Sequence, residues 1–207
     1  MISIIDYGLG NTNAFANIYK KLNIKADIAS TPKQLKEAKK IVLPGVGSFD
    51  WAMTLLNKSG MREPLEELVI EKKIPVLGVC VGMQIMAENS EEGIMEGLGW
   101  FKGTVRKFDF IKEKFALQVP HMGWNKVKPR KNHSLFKGIS VEDFFYFLHS
   151  FYVLTEDKSI SIAITNYGVD FSSVTQRENI YGVQFHPEKS HFSGINLLQN
   201  FAELNSC

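Results

Sequence analysis

The chain has 207 residues, of which 44% are hydrophobic and 22% are charged, and its formal net charge is +2. This length suffices for one sizeable hydrophobic core, so we expect a single domain spanning residues 1–207. Acidic and basic residues are interleaved without a basic stripe, which argues against nucleic acid as a partner.

The two cysteines, Cys80 and Cys207, do not suggest a disulfide framework and fit a reducing compartment. The apolar run that starts the sequence is interrupted by Asp6, has no basic flank and is too short for a signal peptide. No apolar run approaches the length that spans a membrane. We therefore expect a soluble, cytoplasmic protein without membrane association.

Strands and helices alternate in the first part of the sequence. Predicted strands cover residues 1–7, 24–29 and 41–43 and the apolar run before Cys80, and predicted helices run from a glycine turn at 8–11 to about residue 22, from residue 32 onward, over 50–57 and over 61–72. Thr31 and Gln34 have the spacing of a capping box, with Pro32 at the first helical position. The alternation predicts an α/β fold with a mostly parallel central sheet, helices on both of its faces and a site at the carboxyl ends of the strands.

A tight turn follows the fourth predicted strand, where Cys80 stands between Gly78 and Gly82. A residue in this position is held above a sheet by a strand-turn-helix elbow, and the amides that begin the helix favour the thiolate. Cys80 is therefore a candidate nucleophile. The residue could equally be a small buried hydrophobe, because free cysteine is among the most buried residue types.

From about Trp100 onward the pattern changes to short β-branched and aromatic runs separated by turn residues. These predict antiparallel strands beside the main sheet at residues 105–111, 118–119, 126–128, 144–151, 160–165, 173–176 and 180–184, followed by a last amphipathic helix over 194–204. A loop is predicted over 120–125, and an aromatic strand ends at 149–152. Each of these two segments is explained as well by core packing and a turn as by a function.

His186 and Glu188 stand two residues apart after the last predicted strand, with Pro187 between them. In extended backbone both side chains leave the same face, so the carboxylate can orient the imidazole as a thiol nucleophile requires. The other histidines, His121, His133 and His191, have no such partner nearby in the sequence and show no zinc-ligand spacing. We expect neither a metal site nor a cofactor.

The sequence resembles the triad (class I) glutamine amidotransferases over nearly its whole length. Three segments support this: the Pro44–Gly47 loop, the turn from Gly78 to Gln84, and His186-Pro187-Glu188. Within the class it is most similar to the free-standing glutaminase subunits of imidazole glycerol phosphate synthases of histidine biosynthesis. The segments concerned are residues 6–11, 120–125, 149–152 and 186–190. The resemblance implies a flavodoxin-like fold and the hydrolysis of L-glutamine to glutamate and ammonia.

The resemblance also implies a role for particular residues. Cys80 attacks the glutamine carboxamide, His186 transfers protons and Glu188 orients His186. Backbone amides at Val46 and Val81 form the oxyanion hole, and glutamine is bound by Gln84, Glu92, Ser150 and Phe151. The family passes ammonia to a cyclase (synthase) subunit, so the resemblance implies a heterodimer whose interface includes Asn11, Trp124 and Lys189.

Two positions depart from the family pattern, with Ala14 in place of serine and His191 in place of glutamine. Both lie in segments expected near the partner, so a paralogue that feeds a related synthase of surface-sugar biosynthesis is an alternative. A cysteine hydrolase of the α/β-hydrolase type is disfavoured because Glu188 follows His186 in the chain. A non-catalytic binding module is disfavoured because Cys80, His186 and Glu188 are all present.

Overall fold

The computed structural model describes residues 1–110 and 117–204. Its strands are β1 (Ile2–Ile5), β2 (Ala26–Ala29), β3 (Lys40–Gly45), β4 (Val76–Cys80), β5 (Asn89–Ser90), β6 (Gly103–Lys107), β7 (His121–Lys126), β8 (Lys128–Pro129), β9 (Phe144–His149), β10 (Phe151–Thr155), β11 (Ser161–Tyr167), β12 (Val169–Arg177) and β13 (Ile180–Val183). The α-helices are α1 (Thr12–Lys21), α2 (Pro32–Leu35), α3 (Phe49–Lys58), α4 (Arg62–Glu66, extended by a π turn at Glu67–Glu71), α5 (Val81–Gln84) and α6 (His191–Glu203).

The central sheet has eight strands in the order β2-β1-β3-β4-β13-β12-β11-β8. The first five are parallel, and the last three join through antiparallel ladders. Every residue of β1, β3, β4 and β13 is buried, so both faces of this part of the sheet are covered. The predicted α/β fold with a mostly parallel sheet and antiparallel additions is confirmed. The strand predicted over 180–184 as an antiparallel addition is β13, however, and that assignment is wrong because β13 pairs in parallel with β4 in the middle of the sheet.

Two smaller sheets flank the main one. The strands β10, β6 and β5 form a three-stranded sheet, and β7 pairs with β9 in an antiparallel ribbon. Apart from β5, their strands arise from the second part of the sequence, where the short aromatic runs occur. They place β9 and the start of β10 beside the carboxyl ends of β4 and β13.

The start of α2 follows the predicted capping chemistry. The Thr31 hydroxyl accepts a hydrogen bond from the Gln34 amide at 3.4 Å, and the Gln34 side chain accepts one from the Ser30 amide at 3.1 Å. Pro32 is the first residue of α2, as predicted. Among the helices of residues 1–110 and 117–204, not one has the length and apolar character needed to cross a bilayer.

The predicted loop over residues 120–125 is wrong, because His121–Lys126 is β7. Its residues pair in register with β9, from His121 opposite His149 to Lys126 opposite Phe144. Proline and glycine predict a turn from the local sequence, but Pro120 stands just before the strand, and the ribbon tolerates Gly123 because its outer edge needs no partner.

The predicted strand over 144–151 is two strands that turn into different sheets, since β9 pairs with β7 and β10 pairs with β6. The run over 126–128 is divided between β7 and β8, and residues 118–119 form no strand. The strand predicted over 105–111 is β6, which ends at Lys107. Residue 111 of that prediction lies outside the described residues, as does Cys207.

The turn after β4 depends on backbone groups that touch directly. A Cβ atom on Gly82 would lie 2.0 Å from the Leu43 carbonyl oxygen, and one on Gly45 would lie 2.3 Å from the Gly82 nitrogen. Strand β3 can therefore approach the first turn of α5 only because these positions have no side chain.

We expect Gly82→Ala to destabilise the protein by roughly 3 kcal/mol or more, because a backbone oxygen of a central strand must move. Gly99→Ala is the control: Gly99 has φ +63 and nothing within 4 Å of an added Cβ, so only its left-handed conformation costs free energy, about 1–2 kcal/mol. Urea unfolding of both variants measures the difference. Equal losses would contradict the prediction.

Candidate active site

Cys80 ends β4 with φ 54 and ψ −111, a left-handed conformation that is uncommon for a residue other than glycine. The helix α5 begins at the next residue. The strained turn lifts the side chain out of the strand and places it at the carboxyl edge of the parallel strands. The structure thus has the elbow that the spacing of glycines around Cys80 predicts.

The Cys80 sulfur has three polar neighbours although its side chain is almost fully buried. The thiol donates to the Leu148 carbonyl oxygen at 3.9 Å, and the Gln184 Nε2 donates to the sulfur at 3.7 Å. His186 is the third neighbour, close enough for Cys80 to raise the pKa of its imidazole, and both residues line the same cavity. The sulfur is therefore in contact with an acceptor, a neutral donor and a titratable group.

His186 follows β13 and is held by the ribbon strand β9. Its amide donates to the Tyr146 carbonyl oxygen at 2.9 Å, and its own carbonyl oxygen accepts from the Ser190 hydroxyl at 2.6 Å. Its Nδ1 lies 2.8 Å from Glu188 Oε1, and both side chains are 4% exposed. Cys80, His186 and Glu188 are thus brought together.

The backbone between His186 and Glu188 differs from the prediction, which assumed an extended segment. Residues Pro187–Lys189 form a 3-10 turn. The proline begins this turn, where its fixed φ and missing N–H are both tolerated. The turn folds the carboxylate back toward the imidazole, so the predicted contact is present but its geometric reason was wrong.

Opposing effects act on the His186 imidazole. Burial lowers its pKa, but hydrogen bonds to Cys80 and Glu188, together with the negative charges of both, raise the pKa to about 10. The site therefore favours a protonated His186 beside the sulfur. A protonated imidazole next to a nucleophile can give its proton to a leaving amine.

A cavity of about 320 Å³ opens above Cys80. Its volume suits a small molecule, and its wall combines apolar and polar groups. The lining residues include Cys80, His186 and seven others that the sequence analysis selected: Val46, Val81, Gln84, Glu92, Ser150, Phe151 and Lys189. Glu188 lies behind His186, and Asn11 and Trp124 are not part of the wall.

Two of the wall residues are tied to the surrounding structure. Glu92 Oε2 accepts a hydrogen bond from the Phe49 amide at the start of α3, at 2.8 Å. Gln84 Nε2 donates to the Phe151 carbonyl oxygen at 2.9 Å and to Gln184 Oε1 at 3.2 Å. Both N–H groups of Gln84 are therefore used within the protein, and its carbonyl oxygen is the end that a ligand can use.

Tyr7 belongs to the site although no role was predicted for it. Its hydroxyl donates to the Pro44 carbonyl oxygen at 2.8 Å, which fixes the loop that leads to Val46. Burial, and then the negative charge of Cys80, raises the pKa of this hydroxyl. It therefore remains a hydrogen-bond donor at neutral pH. The only sequence signal was its place in the 6–11 segment of the resemblance.

His121 has a close partner that is distant in the sequence, because its Nδ1 lies 2.9 Å from Nε2 of His149, 28 residues away. Burial lowers the pKa of His121 to about 4 and is the main cause that lowers that of His149 to about 3. The pair is therefore neutral. His191 also has a partner, since its ring stacks on Trp124 with centroids 5.1 Å apart and planes 8° apart.

The three residues predicted at a partner interface have different surroundings. The Asn11 side chain accepts from the Ala14 amide at 3.1 Å and so caps α1. Trp124 is 47% exposed on β7. The Lys189 ammonium lies 5.8 Å from the centroid of the Tyr146 ring and also reaches the cavity wall.

Comparisons with known proteins agree with one another. Residues 3–204 match the family model described as Glutamine amidotransferase class-I. Proteins named imidazole glycerol phosphate synthase subunit HisH, from Leptospira borgpetersenii and from Bdellovibrio bacteriovorus, are each 54% identical to the chain over 204 residues, which is 99% of this chain and 100% of either relative. A solved crystal structure of a glutamine amidotransferase is 16% identical in sequence to this chain and superposes on it with a TM-score of 0.71. The match covers 98% of this chain and 99% of that one, and it supports the fold.

We predict a pH dependence from the raised pKa of His186. The protonated imidazole stabilises the folded state fully below about pH 6.5, its ordinary value, and this contribution is lost as the pH rises through about 10. Glu188→Gln removes the carboxylate charge and lowers the pKa of His186, so its decline in stability also begins near pH 6.5 but is smaller and ends at a lower pH than in the wild type. Melting temperatures measured from pH 6 to 10 test this.

Glu178→Gln, which removes an exposed ion-pair carboxylate 2.8 Å from Lys73, is the control. A variant curve parallel to that of the wild type would contradict the prediction.

Proposed function

We propose, since the chain belongs to the glutamine amidotransferase class-I family, that Cys80, His186 and Glu188 hydrolyse the side-chain amide of L-glutamine to glutamate and ammonia. The observation that supports these roles best is the buried chain of contacts from the Cys80 sulfur to His186 and on to Glu188 Oε1 at 2.8 Å. It lies at the base of a cavity of about 320 Å³.

The chain is a glutaminase subunit of imidazole glycerol phosphate synthase, and it acts in histidine biosynthesis. Two relatives of that name are 54% identical over essentially the whole of both chains. It is accordingly one subunit of a synthase complex, with glutamine as its substrate.

The reaction proceeds through a covalent intermediate. The Cys80 sulfur attacks the carboxamide carbon, and the resulting tetrahedral adduct expels ammonia as His186 gives a proton to the leaving nitrogen. This leaves a γ-glutamyl thioester and a neutral His186. His186 then takes a proton from water, whose oxygen attacks the thioester, and the sulfur leaves to release glutamate. Glu188 keeps the imidazole oriented and stabilises its charged form.

Each tetrahedral adduct has a negative oxygen that needs donors. We assign these to the backbone N–H groups of Val46 and Val81, which both line the cavity. In the ladder between β3 and β4, Gly45 stands opposite Cys80. The residues that follow them therefore begin at the same edge of the sheet, close to the sulfur. Loss of one such donor raises the barrier by about 3–4 kcal/mol in comparable enzymes.

The glutamine backbone is assigned to the opposite wall. Glu92 offers a carboxylate for the α-ammonium group while its Oε2 remains bound to the Phe49 amide at 2.8 Å. Gln84 offers its carbonyl oxygen, and the backbone of Ser150 and Phe151 offers further polar groups at the start of β10.

We assign the partner as the cyclase subunit of the synthase, bound as a heterodimer. Trp124 and Met122 are 47% and 66% exposed on β7, and an exposed apolar pair on a ribbon is typical of a docking surface. Lys189 lies between this ribbon and the cavity, and Asn11 caps α1 at the carboxyl edge of the sheet. A partner seated here would receive ammonia next to the site where it forms.

The catalytic assignment is tested by glutamate release from L-glutamine, measured with purified protein alone and with the cyclase and its nucleotide ligand. We expect the cyclase to raise the rate and Cys80→Ala to abolish it, because no other thiol lines the cavity within the described residues. Cys80-dependent release that the cyclase does not change would contradict the partner alone. Release that persists in Cys80→Ala would contradict the mechanism.

The partner assignment predicts that Trp124→Ala weakens cyclase binding by roughly tenfold or more, because a buried tryptophan is a typical hot spot of an interface. Leu154→Ala is the matched control: Leu154 is 48% exposed, like Trp124, but lies on β10 in a different sheet. Titration calorimetry of each variant with the cyclase gives the dissociation constants. Equal affinities for the two variants would contradict this docking surface.

A further inference from the structure

We infer that Gln184 is a further catalytic residue, whose side-chain N–H donates a hydrogen bond to the sulfur of Cys80 whenever that sulfur is negative. The inference rests on the proposed function, since it adds a residue to the same reaction. Neither the triad nor the oxyanion donors give the Gln184 side chain a role. Gln184 is fully buried, and its Nε2 lies 3.7 Å from Cys80 Sγ.

The position of Gln184 is set by two elements. It comes directly after β13, one strand away from Cys80, and its amide donates to the Ser173 carbonyl oxygen on β12 at 2.9 Å. The side chain therefore points from the sheet toward the sulfur without contact with solvent. A buried amide that is aimed at a reacting atom calls for a functional explanation, because burial of a polar group carries a free-energy cost.

The hydrogen-bond network settles which end of the Gln184 amide faces the sulfur. The Phe151 carbonyl oxygen can only accept, so the group of Gln84 that lies 2.9 Å from it is the amino group. The same amino group lies 3.2 Å from Gln184, so Gln184 presents its oxygen there. Its amino group is consequently the end that faces Cys80.

The network continues away from the sulfur with every donor fixed. His149 Nδ1 donates to the Phe151 carbonyl oxygen at 2.8 Å, which leaves Nε2 to accept from His121 Nδ1 at 2.9 Å. His121 Nε2 then accepts from the Asn125 amino group at 3.2 Å. The neutral state of both histidines makes this single direction the stable one. The orientation of Gln184 is thus held from outside the catalytic triad.

A donor at this place acts twice in the proposed reaction. Before attack, it stabilises the thiolate relative to the thiol, because an N–H bonds more strongly to a charged acceptor. During breakdown of the second adduct the leaving group is the same sulfur, and the S–C bond breaks as negative charge returns to it. His186 is a base for water in that step, so Gln184 is the neutral donor available to the departing sulfur.

The test measures the reactivity of Cys80 in a Cys207→Ser background, so that one thiol reports. Rates of alkylation by iodoacetamide are recorded from pH 5 to 10 for Gln184→Met, which keeps the volume and removes the donor, and for Gln184→Glu, which also keeps the acceptor for Gln84. We expect the midpoint of the profile to move upward by about one pH unit or more and kcat to fall about tenfold or more in both variants. The titratable groups around the sulfur and its cavity, which are His186, Glu188, Tyr7, His149, Glu92 and Lys189, are unchanged in Gln184→Met, so this variant isolates the loss of the donor. Gln184→Glu adds a carboxyl beside the sulfur, so its shift also contains the effect of a new charge.

Gln176→Glu is the matched control. Gln176 lies on β12 opposite Tyr181 of β13, and it bonds to the Tyr181 hydroxyl at 3.2 Å, away from Cys80. An unmoved profile and kcat in either folded Gln184 variant would overturn the inference, as would an equal shift in Gln176→Glu. If Gln184→Met fails to fold, Gln184→Leu, which also removes the donor without adding a charge, takes its place. Failure of the proposed function is recognised separately, because the parent protein itself would then release no glutamate.

Discussion

The site depends first on a steric constraint, the contact between backbone atoms of β3 and the turn after Cys80. Gly82 lies against the Leu43 carbonyl oxygen and Gly45 against the Gly82 nitrogen, at distances that leave no room for a side chain. This contact brings the loop that begins at Val46 and the helix that begins at Val81 to one edge. The cysteine then has to adopt a left-handed conformation, which turns its sulfur toward the cavity.

Electrostatics then decide what the assembled groups can do. His186 and Glu188 are both buried, so an unpaired charge on either would be costly, and the two compensate each other at 2.8 Å. The histidines on the ribbon are buried as well, but they face each other and carbonyl groups rather than a carboxylate. Glu188 and Cys80 therefore keep His186 charged in spite of its burial, whereas burial keeps His121 and His149 neutral.

Local patterns in the sequence predicted much of this arrangement. Alternating strands and helices predicted the parallel arrangement of β1 to β4, and the glycines around Cys80 predicted the elbow. The short spacing of His186 and Glu188 predicted their contact, although a 3-10 turn rather than extended backbone produces it. The sequence did not reveal β7, because proline and glycine in a short segment indicate a turn when the partner strand is not known. His121 and His149 are 28 residues apart, and Gln84 and Gln184 are 100 apart. Pairs of this kind form only when distant strands meet, so no local pattern marks them.

The ribbon of β7 and β9 has a consequence for communication across the molecule. Its outer strand bears the exposed Trp124, while its inner strand supplies the Tyr146 carbonyl to His186 and the Leu148 carbonyl to Cys80. Within residues 1–110 and 117–204, the ribbon shares no ladder with the central sheet. A displacement of Trp124 is therefore transmitted to His186 and Cys80 through one pair of strands. A shift of this ribbon by a fraction of an ångström changes the alignment of both side chains without straining the parallel sheet.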